Sequence, residues 1–378
     1  MNKDKIGLYI HVPFCVKKCN YCDFCSFDTL NSDERDLYVS ALCRELIHES
    51  EKLNGRKVDT VFFGGGTPSL LNEKQFENIF SVIGKYYTRT DQAEISAEIN
   101  PATASYDKLR FMRGLGINRL SIGMQSLIDS ELSLLGRAHT ASDFYTCFES
   151  ARAVGFDNIN VDLMYGIPAQ TLSTFEKTLD STLSLGCEHI SAYALKIEEG
   201  TPFFKNKASL LLPDEESEYG MYMLCAEKMK DAGYFHYEIS NYAKANFECR
   251  HNLKYWRSLE YIGVGVCAYS YFENERYGNI SSIDDYISNS GVCQKTDVEY
   301  IGERERENEY IMLALRLGGG IDDVEFKKLF GVSFFDKYSS AVNLFKDSEY
   351  AEKKGTKFSL TDKGMYVSNS IICEFLEN

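Results

Sequence analysis

Hydrophobic positions along this chain alternate between two spacings. Short, nearly continuous apolar runs occur at "LYIHV" (8–12), "DTVFFGG" (59–65), "AEISAEIN" (93–100), "RLSIGM" (119–124), "NINVDLMYG" (158–166) and "HISAYAL" (189–195). Between them, at 33–53, 73–86, 105–115, 142–155 and 172–185, apolar residues recur at every third and fourth position. The first pattern predicts buried strands and the second amphipathic helices. Punctuation agrees: "NSDERDLYVSALCREL" opens on an Asn/Ser/Asp start signal, and "GLGIN" closes the third helix on glycine.

Strand–helix repeats of this kind predict a parallel sheet with right-handed crossovers. Six such units make a partial or open (β/α) barrel, since a full barrel has eight. A flat doubly wound sheet fits the same pattern, and periodicity alone does not separate the two. The rhythm changes after "EEGTPFF" (198–204), where 213–233 predicts one long helix and "YFHYEISNYA" (234–243) an aromatic strand. A compact Gly/aromatic segment follows at 249–272. Near residue 300 a third style begins, with a charged helix, the turn "GGGI" and short elements of winged-helix character. The expected division is therefore 1–205, 206–298 and 299–378.

Composition narrows the class. No apolar run approaches the ~20 residues of a membrane span, and "MNKDKIGLYIHVPFC" lacks the apolar core of a signal peptide. The expectation is a cytoplasmic protein whose membrane contact is at most peripheral. A net charge of −15 argues against a broad nucleic-acid surface.

In the cytoplasm thiols stay reduced, so clustered cysteines more often hold metal than form disulfides. "HVPFCVKKCNYCDFCSF" (11–27) packs four of the twelve cysteines into one loop after the first strand. Cys15, Cys19 and Cys22, spaced C-x3-C-x2-C, suit three corners of a cubane cluster with one iron left open. Zinc is the alternative, with Cys25 as a fourth thiolate. Polar groups at the later strand ends bear on the choice. "VFFGGGTPS" places Gly64, Gly65, Gly66 and Thr67 after the second strand, where glycine lets backbone approach a ligand. Glu98, Gln125, Arg137 and Asp162 follow at or beyond the next ends. Each alone reads as a capping residue; together they read as a ligand site.

Taken in order, C-x3-C-x2-C after "YIHVPF", GGGTP, "EINP", "SIGMQS", "LLGRAH" and "DLMYG" resemble the radical S-adenosylmethionine (SAM) superfamily. Within it they resemble the branch that holds oxygen-independent coproporphyrinogen dehydrogenase and the HemW heme chaperones. "ENEYIMLALRLGGGI" and "SLTDKGMYVSN" resemble that branch's C-terminal domain. The resemblance implies an α/β fold: a partial (β/α)6 radical SAM barrel with a mainly helical, winged-helix-like C-terminal domain. It implies a [4Fe-4S] cluster on Cys15, Cys19 and Cys22, with SAM chelating the fourth iron and yielding a deoxyadenosyl radical on reduction. Tyr21 would lie against the adenine, and Gly65, Gly66 and Thr67 against the methionine part. Glu98, Gln125, Arg137 and Asp162 would hold the ribose and the rest of SAM, and Tyr9 would lie nearby.

Two features point to the chaperone side of the branch. The dehydrogenase has a long N-terminal arm and a fourth cysteine two positions after the third. Here eight residues precede Tyr9, and Phe24 stands at that fourth position. "CRHNLKYW" (249–256) resembles the HNxxYW motif of the HemW proteins, which implies His251 as a heme ligand, Arg250 as a propionate partner, and Tyr255 and Trp256 as flat apolar surface. "GVGVCAYS" (263–270) departs from the branch, with Cys267 in place of a glycine and Tyr269 in place of a histidine. Cys25 reads as a buried thiol and Cys267 as a conceivable soft ligand. The expected function is heme binding and delivery to recipient hemoproteins, with an electron donor such as flavodoxin or ferredoxin. The alternative is a tetrapyrrole-modifying oxidoreductase such as the dehydrogenase itself.

Overall fold

The structure is a computed structural model that describes residues 4–376. Six strands form in the predicted places: β1 (Lys5–Val12), β2 (Lys57–Gly65), β3 (Arg89–Ile99), β4 (Arg119–Gln125), β5 (Ile159–Tyr165) and β6 (His189–Ala194). They pair in chain order, each parallel to the one before. A doubly wound sheet reverses its order at a switch point. No reversal occurs among these six, so the chain takes the open-barrel winding.

The helices that return the chain are α1 (Ser32–Ser50), α2 (Glu73–Tyr86), α3 (Tyr106–Gly114), α4 (Asp129–Leu135), α5 (Ala141–Ala153) and α6 (Leu172–Ser184). Local sequence starts several of them. Asn31 with Glu34, Asn72 with Gln75 and Thr140 with Asp143 form reciprocal capping boxes that satisfy otherwise unpaired backbone donors. Every residue of β4 is buried, as expected of a strand covered on both faces.

Later segments extend both edges of the sheet. The hairpin β7 (Phe235–Glu238) and β8 (Asn241–Ala243) pairs antiparallel with β6. The single strand expected over 234–243 is thus two. Glu238 is buried and its carboxylate accepts bonds from Asn241 and the Ser240 N–H, which turns the chain back on itself. At the other edge β9 (Tyr261–Val264) lies parallel to β1, and β10 (Tyr269–Phe272), β11 (Glu275–Gly278) and β12 (Thr296–Tyr300) follow in a meander.

The C-terminal region combines short helices with a small antiparallel sheet of Ile321–Asp322, Lys357–Leu360 and Ala351–Lys354. Phe326, Phe334, Phe358 and Phe375 fill its core. It is tied to the barrel where the Tyr222 hydroxyl donates to the Asp362 carbonyl at 3.0 Å. Among the described residues no helix is long and apolar enough to cross a membrane.

One buried acid rivets the β9–β12 extension to the barrel. Glu45 of α1 is 1% exposed and accepts from the Gly265 N–H (2.7 Å), the Asn279 amide (2.7 Å), the Tyr286 hydroxyl and Lys295 (3.2 Å). Truncation strands the Gly265 N–H and the Tyr286 hydroxyl, while Lys295 keeps Glu49 at 3.1 Å and Asn279 at 2.8 Å. Glu45→Ala is therefore expected to lower stability by about 2 kcal/mol, read as the shift in urea midpoint.

Candidate functional site

The loop after β1 is pinched shut at its base. The Cys15 N–H donates to the Phe27 carbonyl at 3.0 Å and the Phe27 N–H to the Pro13 carbonyl at 2.7 Å. Asn20 anchors the loop's middle to the end of α4 through the carbonyls of Leu134 and Leu135, both at 2.9 Å. Cys15, Cys19 and Cys22 are half-buried and rim one cavity of about 420 Å³ at the C-terminal ends of the strands. Gly65, Gly66, Thr67, Glu98, Gln125, Arg137, Asp162 and Tyr21 line the same cavity. Eleven positions separated by up to 147 residues thus meet in one space.

The glycines of GGGTP are required by the protein's own packing. Gly65 takes φ +109°, and a Cβ there would lie 2.4 Å from the His11 ring. Gly66 has no such backbone demand, but a Cβ would come within 2.6 Å of the Phe14 carbonyl, at the root of the cysteine loop. Both keep β2 close to the loop, so that Thr67 Oγ1 reaches to 3.8 Å from Cys15 Sγ.

Charge is concentrated at the other strand ends. Burial, and then the Asp162 carboxylate, push the Glu98 carboxyl up to about 7, although it accepts the Gly65 N–H at 3.0 Å. Burial also raises Asp162, against bonds from Asn160 (2.8 Å) and Ser121 (3.2 Å). Burial works against the Arg137 charge, yet nearby Tyr21 and Cys19 hold it protonated. Arg137 donates to the Gly123 carbonyl at 2.8 Å and toward Cys19 Sγ at 3.6 Å, while its buried Nε has no partner among the described residues. Gln125 adopts φ +68°, an uncommon backbone for a non-glycine residue, and accepts the Tyr193 hydroxyl at 3.1 Å.

These features suit a cluster and a zwitterionic cofactor. Burial and the neighbouring thiols push Cys22 up to about 11, so this thiol resists ionising unless a cation shares the site. Paired carboxylates can receive an ammonium or hydroxyls, and the unsatisfied arginine nitrogen an acceptor.

A second chamber of about 500 Å³ adjoins the first and shares Gly65 and Glu98 with it. Tyr9, His11, Phe24, Tyr255, Tyr261 and Tyr269 give it aromatic walls. Tyr9 lies here and not in the first cavity, its hydroxyl 3.0 Å from His11 Nδ1.

His251 lies on neither cavity. It is fully buried, its Nδ1 2.8 Å from Thr60 Oγ1 and its Nε2 2.8 Å from the Tyr255 hydroxyl. The rings of Tyr9 and Phe62 stack on it, and burial, then the Lys254 and Arg119 charges, push its pKa down to about 3. His251, expected from the sequence as a heme ligand, thus has both ring nitrogens engaged within the protein. Arg250 is likewise engaged, donating to the Gln92 carbonyl at 2.6 Å, and of the aromatic pair Tyr255 reaches the chamber.

Cys25 and Cys267 are joined as a disulfide, which corrects the reading of one as a buried thiol and the other as a soft ligand. It also removes the fourth thiolate of the zinc alternative. Sequence reasoning missed Tyr193 and Lys196, which line the first cavity from the end of β6. Their signal lies in "HISAYALK" (189–196), where polar residues stand at the end of the sixth strand as they do at the others.

Known proteins share the family and the fold of this chain. The radical SAM superfamily model matches residues 9–182, and the HemN C-terminal domain model matches 302–367. The heme chaperone HemW of Bacillus subtilis is 36% identical over 97% of this chain and 98% of its own length. The heme chaperone HemW of Lactococcus lactis is 30% identical over 97% and 96%. Among solved structures, coproporphyrinogen III oxidase (HemN) from Escherichia coli superposes with a TM-score of 0.84 at 22% identity, covering 98% of this chain and 90% of that one, a likeness of fold.

Two outcomes follow from the cavity. Gly66→Ala drives a methyl into the Phe14 carbonyl and displaces the loop root, so iron and sulfide bound after anaerobic reconstitution should fall at least several-fold while circular dichroism is retained. Because the folded Glu98 value of about 7 exceeds the ordinary 4.5, the native state takes up a proton in that window and stability falls as pH rises through it. Glu98→Gln should match the ligand-free parent near the acid end of the window. Above the folded value it should exceed the parent by up to about 3 kcal/mol, read by urea titration at each pH.

Proposed function

This chain belongs to the HemW branch of the radical SAM superfamily, and from that premise we propose that it is a heme chaperone. On this reading Cys15, Cys19 and Cys22 hold a [4Fe-4S] cluster, and the first cavity seats SAM against it. Gly65, Gly66 and Thr67 take the methionine end, Tyr21 flanks the adenine, and Glu98, Gln125, Arg137 and Asp162 bind the remaining polar groups. Together the cluster and SAM supply one-electron reductive cleavage of a sulfonium, the chemistry common to the superfamily. The protein's own residues orient the cofactor and keep water from it.

The observation that carries the heme reading is the aromatic chamber beside the cofactor cavity. Its volume of about 500 Å³ lies within the ordinary range of small-ligand sites, about 300–1,000 Å³. Flat walls of Tyr9, Tyr255, Tyr261 and Phe24 suit a macrocycle face, and Tyr9 lies between this chamber and buried His251. His251 then serves heme through Tyr255, holding its hydroxyl from beneath. Cargo placed there would pass to recipient hemoproteins, and an acidic flavodoxin or ferredoxin would supply electrons.

The fold alone also accommodates the oxidoreductase alternative, in which a porphyrinogen propionate would meet the cofactor across Gly65 and Glu98. A paired assay separates the two. Anaerobically reconstituted protein should take up heme stoichiometrically, seen as a saturating Soret band, and His251→Ala should weaken uptake. It should leave coproporphyrinogen unchanged; a divinyl product by chromatography would overturn the chaperone reading.

A further inference from the structure

We propose that Cys25 and Cys267 form a reversible dithiol–disulfide switch that clamps the cysteine loop to the wall of the aromatic chamber. The two residues are 242 positions apart, yet their sulfurs meet at the chamber rim. Cys25 stands three residues beyond Cys22, on the loop that carries the thiol trio. Cys267 stands in the turn between β9 and β10. Both are half-buried, within reach of small redox reagents.

The backbone at Cys267 gives an independent reason to read its side chain as functional. It adopts φ +58°, with the Cys267 N–H donating to the Ile280 carbonyl at 3.0 Å and the Ala268 N–H to the Gly265 carbonyl at 3.1 Å. Glycine would occupy this left-handed turn without penalty, whereas a residue with a Cβ costs roughly 1 kcal/mol there. The thiol is retained against that cost and meets Cys25. Strain of this kind concentrates at functional positions.

The attachment points of the loop show what the bond controls. Asn20 fixes one side to the end of α4, and Cys25 fixes the other to Cys267. Without the disulfide, the Cys25 side keeps the bond between its carbonyl and His11 Nε2 at 2.9 Å. Phe24, 65% exposed, sits next to Cys25 on the wall of both cavities. The oxidised pair holds this wall closed, and the reduced pair lets it open.

The chemistry balances with a low-molecular-weight disulfide as oxidant. One thiol loses its proton and attacks that disulfide, releasing one small thiol and leaving a mixed disulfide. The second protein thiol loses its proton and displaces the other small thiol. Two protein thiols are oxidised as one small disulfide is reduced to two thiols, and excess small thiol reverses the sequence.

The chemistry of the pair stands apart from the heme reading, while its effect on release rests on it, so the test reads both. Reconstituted full-length protein is equilibrated without oxygen across ratios of oxidised to reduced glutathione, alkylated and mapped by peptide mass. The crosslinked Cys25–Cys267 peptide should appear and vanish reversibly with the ratio while the cluster absorbance holds. Heme release to apomyoglobin should be roughly tenfold faster from the reduced form. Cys267→Gly should release at the faster rate at every ratio. The proposal is overturned if both cysteines stay alkylatable in the most oxidising buffer, if Cys25 crosslinks to a cluster cysteine instead, or if release ignores the ratio. Failure to bind any heme would count against the chaperone reading, and the peptide map would still decide the pair.

Discussion

The constraint on which everything else depends is the winding of six parallel strands in unbroken order. Parallel strands joined by right-handed crossovers bring all six C-terminal ends to one side of the sheet. Side chains that are far apart in sequence, from Cys15 to Asp162, then share one cavity, and the thiol trio alone needs a long loop to reach it. The GGGTP turn tightens this further, because Gly65 and Gly66 let the end of β2 press against His11 and Phe14. A bulkier backbone at that point would hold the cysteine loop away from the remaining strand ends.

The interior below this face carries several polar side chains. Glu98 and Asp162 sit half-buried on the cavity wall, and Arg119, 2% exposed, lies close enough to lower both carboxyl pKa values. Isolated buried charges are costly, so such a set persists only where partners or a ligand offset the loss of water. Much of the offset is built in: Asn160 bonds Asp162, Ser121 and Ser191, and His189 bridges Asn160 to the Tyr237 hydroxyl. What stays open lines the cavity, where under the proposed reading a zwitterionic cofactor would supply the missing charge.

Burial also explains why the HNxxYW segment behaves differently from its reading in one dimension. Glu94 of β3 accepts the N–H groups of Arg250 and His251, both at 3.1 Å, and fixes the start of the short helix Arg250–Trp256. That helix packs beneath the tyrosine layer, leaving one residue of the motif, Tyr255, at the chamber. A histidine with two satisfied nitrogens is a support for its neighbour, and the support can matter to a ligand it never touches.

The sequence by itself determined the order of elements, the capping boxes, the thiol trio and the set of strand-end polar residues. Those features depend on spacing and local chemistry, and spacing is what a chain displays. It did not separate an open barrel from a flat sheet, because periodicity reports burial and not the direction in which a sheet grows. Only the tertiary structure decided that Cys25 meets Cys267, that His251 is enclosed, and that 234–243 folds back as a hairpin. Each of these turns on contacts across the fold: a partner 242 residues away, a pair of rings stacked overhead, a buried acid that bends its own strand. No local pattern encodes such contacts, since they arise when distant segments compete for the same buried space.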